Sequence, residues 1–205
     1  MNDSDIINSF FNHQNLNTSK NKLTFNGIVY ERLFVDYYYS LFNAFKSKIP
    51  VELPESKIIG HSKWEPLLRA GHHGWVLTLM QFIPSISTNS EIGKLMACFD
   101  ILGHHGMGKF ELGLAPKDCF MKIDVTSGLE DSAFEFMDEK PEHPLCPFTA
   151  GMVLASFNLS MTTWDISKIN SDSVEKMYQE SPDIIQVKYG VNTGEESGFT
   201  LKSKS

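Results

Sequence analysis

What this sequence has little of narrows its class quickly. Its three cysteines, Cys98, Cys119 and Cys146, are too few and too irregularly spaced for a disulfide framework, which points to a reducing, cytoplasmic setting. No Cys-x-x-Cys pair occurs. Apolar runs stop well short of the roughly 20 residues of a membrane span. The polar, acidic start Met1-Asn2-Asp3-Ser4-Asp5 lacks the basic block and apolar stretch of a signal peptide. Lys and Arg nowhere cluster and the net charge is −7, so neither nucleic acid nor an anionic membrane is an expected partner. The glycine-rich stretch Gly190 to Gly198 lacks the Lys-Ser/Thr of a phosphate loop, and no nucleophile elbow or kinase signature is found.

What is present is apolar and aromatic. Of 205 residues 41% are hydrophobic and 12% aromatic, with fifteen phenylalanines, a composition suited to a bulky core and an apolar ligand pocket. The length fits one domain with an added arm, and we expect residues 1–21 to form an N-terminal arm and residues 22–205 a single domain. The most unusual feature is a repeated unit. Gly71-His72-His73-Gly74-Trp75 is echoed by Gly103-His104-His105-Gly106, and together they hold four of the seven histidines.

Along the chain, Ile6 to Phe11 has the spacing of a short amphipathic helix, and the Asn- and Ser-rich segment His13 to Asn21 reads as a loop. Leu23 to Val35, broken at Asn26-Gly27, predicts a hairpin. Phe34 to Phe45 has helical spacing. A further helix is expected from Trp64 to Leu68 and again from Trp75 to Phe82, broken or bent at Gly71 to Gly74. Another runs from a Ser90 cap to Gly103. The period then becomes alternating at Lys109 to Leu112 and Phe120 to Val125, an antiparallel pair. Phe148 to Leu159 is apolar on nearly every side, with Ala150, Gly151, Ala155 and Ser156 permitting close packing, which predicts a buried helix. Trp164 to Ile169, Ile184 to Tyr189 and Phe199 to Leu201 are strand candidates, with a helical or loop piece around Val174 to Tyr178.

Several residue groups can carry chemistry. Adjacent histidines in a regular helix or strand point in different directions, but a glycine-flanked turn relaxes that restriction. His72 or His73 with His104 or His105 can then form a zinc, iron or haem site. The plainer alternative is that such histidines cap helix ends. Cys146, just before the buried helix, is either a thiolate favoured by the helix N-terminus or, the preferred reading, a small buried side chain. Glu130, Asp131 and Glu135 read as a solvated acidic face.

The order of motifs Gly106-Met107-Gly108-Lys109-Phe110-Glu111-Leu112, Asp131-Ser132-Ala133-Phe134-Glu135, His143-Pro144-Leu145-Cys146, then Gly151 and the small-residue helix to Phe157, and a glycine-centred ending with Phe199, resembles the 4-vinyl-reductase-like domain family. That family includes the aromatic-sensing N-terminal domains of phenol- and xylene-responsive activators. The resemblance implies an α+β fold in which helices pack on a curved antiparallel sheet and enclose a small-molecule pocket, commonly in a homodimer. It also implies a zinc site built from a Cys before the buried helix and a terminal Glu-x-x-Cys-x7-Cys pattern. Cys146 matches the first ligand, while the terminal pattern falls on Val187, Gly190 and Gly198, so the cofactor is left open. A pocket histidine is implied near Leu102 to His105 and an aromatic contact near Leu129 to Phe134. The resulting expectation is a domain binding a hydrophobic or aromatic small molecule, with His72, His73, Trp75, His104, His105 and Phe134 as ligand contacts. A small enzyme using these histidines as acid/base groups or as metal or haem ligands, and a non-catalytic partner subunit, are the alternatives.

Overall fold

In a computed structural model of the chain, the described residues are 16–19, 22–25, 28–31, 58–59, 65–131, 146–161, 168–188 and 197–204. The predicted helices at Ile6 to Phe11 and Phe34 to Phe45 lie outside them, as does the strand candidate Trp164 to Ile169 except for Lys168 and Ile169, which are not in a strand.

Three short strands come first, β1 (Leu16–Ser19), β2 (Lys22–Phe25) and β3 (Ile28–Glu31), in an antiparallel meander. The two strands expected on either side of Asn26-Gly27 pair antiparallel, with Phe25 opposite Ile28, while Asn26 and Gly27 themselves lie outside the described residues. The reading of His13 to Asn21 as a loop is corrected by β1, which pairs with β2 along its whole length.

The second sheet has the order β4-β7-β8-β6-β5, antiparallel throughout: β4 (Ile58–Ile59), β5 (Lys109–Gly113), β6 (Met121–Thr126), β7 (Asp183–Lys188) and β8 (Ser197–Lys202). Because strand side chains alternate, the register puts Phe110 opposite Val125, and Ile123 opposite Phe199, on one buried face. Ile184 and Leu201 extend that face.

The longer helices are α1 (Glu65–Leu79), α2 (Glu91–His104), α3 (Pro147–Met161) and α4 (Ser171–Gln179), with a 3-10 turn at Ile83–Ser85 between the first two. The architecture is thus α+β, helices on an antiparallel sheet. Helix α3 is the hub: twelve of its fifteen residues are buried, and it packs chiefly on α1 and also on α2, α4 and β7. A helix apolar on all sides must be surrounded, and this one is. No described helix is long and apolar enough to cross a membrane.

The expected break at Gly71 to Gly74 does not occur, for α1 runs unbroken through both glycines. Tertiary packing outweighs the roughly 1 kcal/mol that each glycine costs a helix. Gly71 lies against the backbone of Phe148, and Gly151 against Leu68 and His72, so α1 and α3 cross where neither carries a side chain. The second histidine unit is different. There α2 ends in a Schellman motif: Gly106 adopts φ +76°, its N–H donates to Gly103 O at 2.9 Å, and Met107 N–H donates to Leu102 O at 3.1 Å. Gly106 is required because a side chain is strained in that left-handed conformation. Ser90 caps the other end as expected, accepting from Gly93 N–H at 3.3 Å.

Candidate functional site

Helical geometry separates the members of each histidine pair. Along α1 the inward stripe Leu68, His72, Trp75, Val76 and Leu79 has the i, i+3, i+4 spacing, so His72 enters the core while His73 turns toward the flank. His72 is fully buried. Its Nε2 lies 2.9 Å from Asn158 Nδ2 of α3, and that same amide nitrogen donates to Ser181 Oγ at 2.6 Å and Met177 O at 3.2 Å. Desolvation, followed by the neighbouring charge of His73, lowers the His72 pKa to about 3. With so low a pKa the ring is a weak base at pH 7, poorly matched to taking up a proton there.

His73 joins a polar network on the α1–α4 flank. Its Nε2 is 3.1 Å from Glu175 Oε2, its Nδ1 is 3.0 Å from Arg69 O, and Arg69 reaches Glu175 at 2.6 Å and also pairs with Glu65. The guanidinium sits 4.9 Å from the centre of the Tyr178 ring, which contacts both histidine rings at 5.2 and 5.7 Å. This flank is partly solvated, and it fastens α4 to α1.

At the end of α2 the division repeats. His104 is exposed, whereas His105 turns inward and gives its Nδ1 proton to Ile101 O at 2.8 Å. A carbonyl can only accept, so the neutral ring keeps Nε2 as an acceptor. Desolvation lowers its pKa, opposed by the bond to Ile101. The ring packs edge-on against Trp75 at 5.4 Å and Phe82 at 5.9 Å. The two units therefore meet at Trp75 of the first against His105 of the second. No group of three His, Cys, Asp or Glu among the described residues is placed to hold a metal. Phe134 lies outside the described residues.

The acidic segment corrects the reading of a solvated face. Glu130 is fully buried, and its carboxylate accepts from Phe148 N–H at 3.1 Å and Thr149 N–H at 2.7 Å in the first turn of α3. It is a helix cap supplied from another segment, worth its burial because the charge faces the positive helix end. Beside it, Asp131 Oδ1 accepts from Ser197 Oγ at 2.8 Å and from the Cys146 thiol at 3.5 Å, and Gln186 Oε1 accepts from Cys146 N–H at 2.8 Å. Burial, then the charges of Asp131 and Glu130, push the Cys146 thiol well up, so the preferred reading of a small buried side chain describes it and the thiolate reading does not. These residues do not fit a family-type zinc: one thiol and one carboxylate meet a hydroxyl and an amide, where a structural zinc takes four thiolate, imidazole or carboxylate ligands. Val187 is exposed on β7, and Gly198 carries no side chain.

Sequence reasoning missed Asn158, Tyr178, Ser181 and Glu175. Asn158 had a signal, a lone amide in a mostly apolar helix; the others lie on α4 or just past its end, and no local pattern names the partner of that helix.

No family model and no curated protein matches the chain. Among solved structures it resembles the phenol-responsive sensory domain of the transcription activator PoxR, determined with phenol, at a TM-score of 0.62 and 10% sequence identity, covering 97% of this chain and 89% of that one. At such low identity the likeness is one of fold, extending over nearly the whole chain.

Proposed function

We propose that this chain is a small-molecule sensor or carrier domain that encloses a hydrophobic or aromatic ligand within its helix–sheet core. The observation that carries the reading is the fold likeness over 97% of the chain to a domain solved with phenol. The wall formed by buried Trp75 and Phe82 with half-buried His105 supports it, since ligand sites are mostly apolar with a few oriented polar groups. In this reading His105, His72 and Trp75, with Phe134, contact the ligand, the protein is a homodimer as the family resemblance implies, and it works in the cytoplasm, the setting that its few, irregularly spaced cysteines suit. His73 and His104, engaged on the flank and exposed respectively, are secondary contacts at most.

The test is thermal denaturation and tryptophan fluorescence of the purified protein titrated with phenol, cresols and toluene. A fluorescence change that saturates, and a Tm that keeps rising with ligand concentration, are expected, because a ligand bound only by the folded state stabilises it by mass action. Absence of any saturable effect across the panel would sink the reading, and sedimentation would decide the dimer separately.

A further inference from the structure

The proton on His72 can be located from its neighbours. Met177 O is a carbonyl and only accepts, so the Asn158 atom 3.2 Å away is the amide nitrogen rather than its oxygen. Ser181 spends its hydroxyl proton on Met177 O at 2.9 Å, so its oxygen accepts from the same nitrogen at 2.6 Å. The Asn158 amide thereby turns its nitrogen toward all three groups: Ser181 Oγ and Met177 O, themselves 2.9 Å apart, share one of its two N–H groups, and the other points at His72 Nε2. A nitrogen facing a donor must offer its lone pair, and the neutral ring then carries its proton on Nδ1. That Nδ1 is buried in a fully buried residue and has no hydrogen-bond partner among the described residues. An unmet buried donor costs free energy, and native interiors rarely leave one so.

We infer that His72 Nδ1–H is a binding site for an oxygen acceptor on the guest, a ketone, ether or phenolic oxygen carried by a small apolar molecule. The inference rests on the ligand-binding reading above and goes beyond it by naming what the ligand must bring. His105 offers the complementary chemistry, a ring nitrogen that accepts. A guest recognised at His72 therefore needs a lone pair and no proton of its own.

Two isosteric pairs test this: phenol with toluene, and anisole with ethylbenzene, anisole having an acceptor but no donor. Wild-type protein should bind anisole roughly five- to tenfold more tightly than ethylbenzene, the ratio that one net hydrogen bond supplies. In His72→Phe that ratio should fall to about one. Should the variant not fold, long-range 1H–15N NMR of the wild type decides the matter. It should show the Nδ1–H tautomer of His72, with a proton resonance that moves on adding anisole and stays put with ethylbenzene. An Nε2–H tautomer, equal affinity within each pair, a preference for phenol without one for anisole, or bound anisole that leaves the resonance unmoved each overturns the inference. The last result would identify a buried water as the acceptor. Binding of all four probes without oxygen preference removes this inference alone, whereas binding of none removes the ligand-binding reading as well.

Discussion

Burial decides the charge of His72, and through it a part of the stability. Folded, the ring has a pKa of about 3, lowered first by desolvation and then by His73, while in the unfolded chain it titrates near 6.5. Between those values the unfolded state holds more protons. Stability is therefore complete above about pH 6.5 and falls as the pH drops toward 3, by up to about 1.4 kcal/mol per pH unit. His105, also lowered by desolvation, acts in the same direction. Urea unfolding at pH 7.5 and 5.0 should show a loss of about 1–2 kcal/mol at the lower pH. His72→Gln should reduce that loss, and an undiminished loss would assign the pH dependence to other groups. That the histidines were special was legible in their repetition. Which one of each pair was buried was not, because adjacent side chains on a helix diverge by about 100° and only a packing partner selects between them.

At the scale of elements, the α1–α3 crossing governs what can be changed. A Cβ at Gly71 would lie 2.2 Å from Phe148 O, and one at Gly151 would lie 2.2 Å from Leu68 O. Backbone cannot step aside as a flexible side chain does. Gly71→Ala or Gly151→Ala should thus destabilise by about 2 kcal/mol or more, despite the gain in helix propensity. Gly74, three residues along the same helix, has nothing within 4 Å of such a Cβ, and Gly74→Ala should stabilise by about 0.5–1 kcal/mol. Denaturation midpoints of the three variants check the contrast, and equal effects at Gly71 and Gly74 would count against the close crossing. Glu130→Ala should cost about 1–3 kcal/mol by the same measurement, since two buried N–H groups of α3 lose their acceptor. Helices α2 and α3 and strands β5 to β8 were readable because their signals are local: a Ser90 cap, a change of period after Gly108, an all-apolar stretch. The unbroken path of α1 was not readable. Two glycines look like a break until the second helix that they accommodate is in place.

Over the whole molecule, α3 joins the two layers, touching α1, α2, α4 and β7. Helices and sheet that share one buried element should unfold together. Far-UV circular dichroism and tryptophan fluorescence should accordingly give coincident urea transitions, and separated midpoints would show that the layers are independently stable. The sequence by itself determined the fold class, the order of most described elements, the buried character of α3 and the end of α2, because periodicity and capping act over a few residues. Tertiary structure alone decided that Glu130 caps α3, that Asn158 orients His72, that Trp75 meets His105, and that Cys146 lies among Asp131, Gln186 and Ser197. Those partners are separated by tens of residues, and which of them meet depends on how the helices cross and how the strands are ordered.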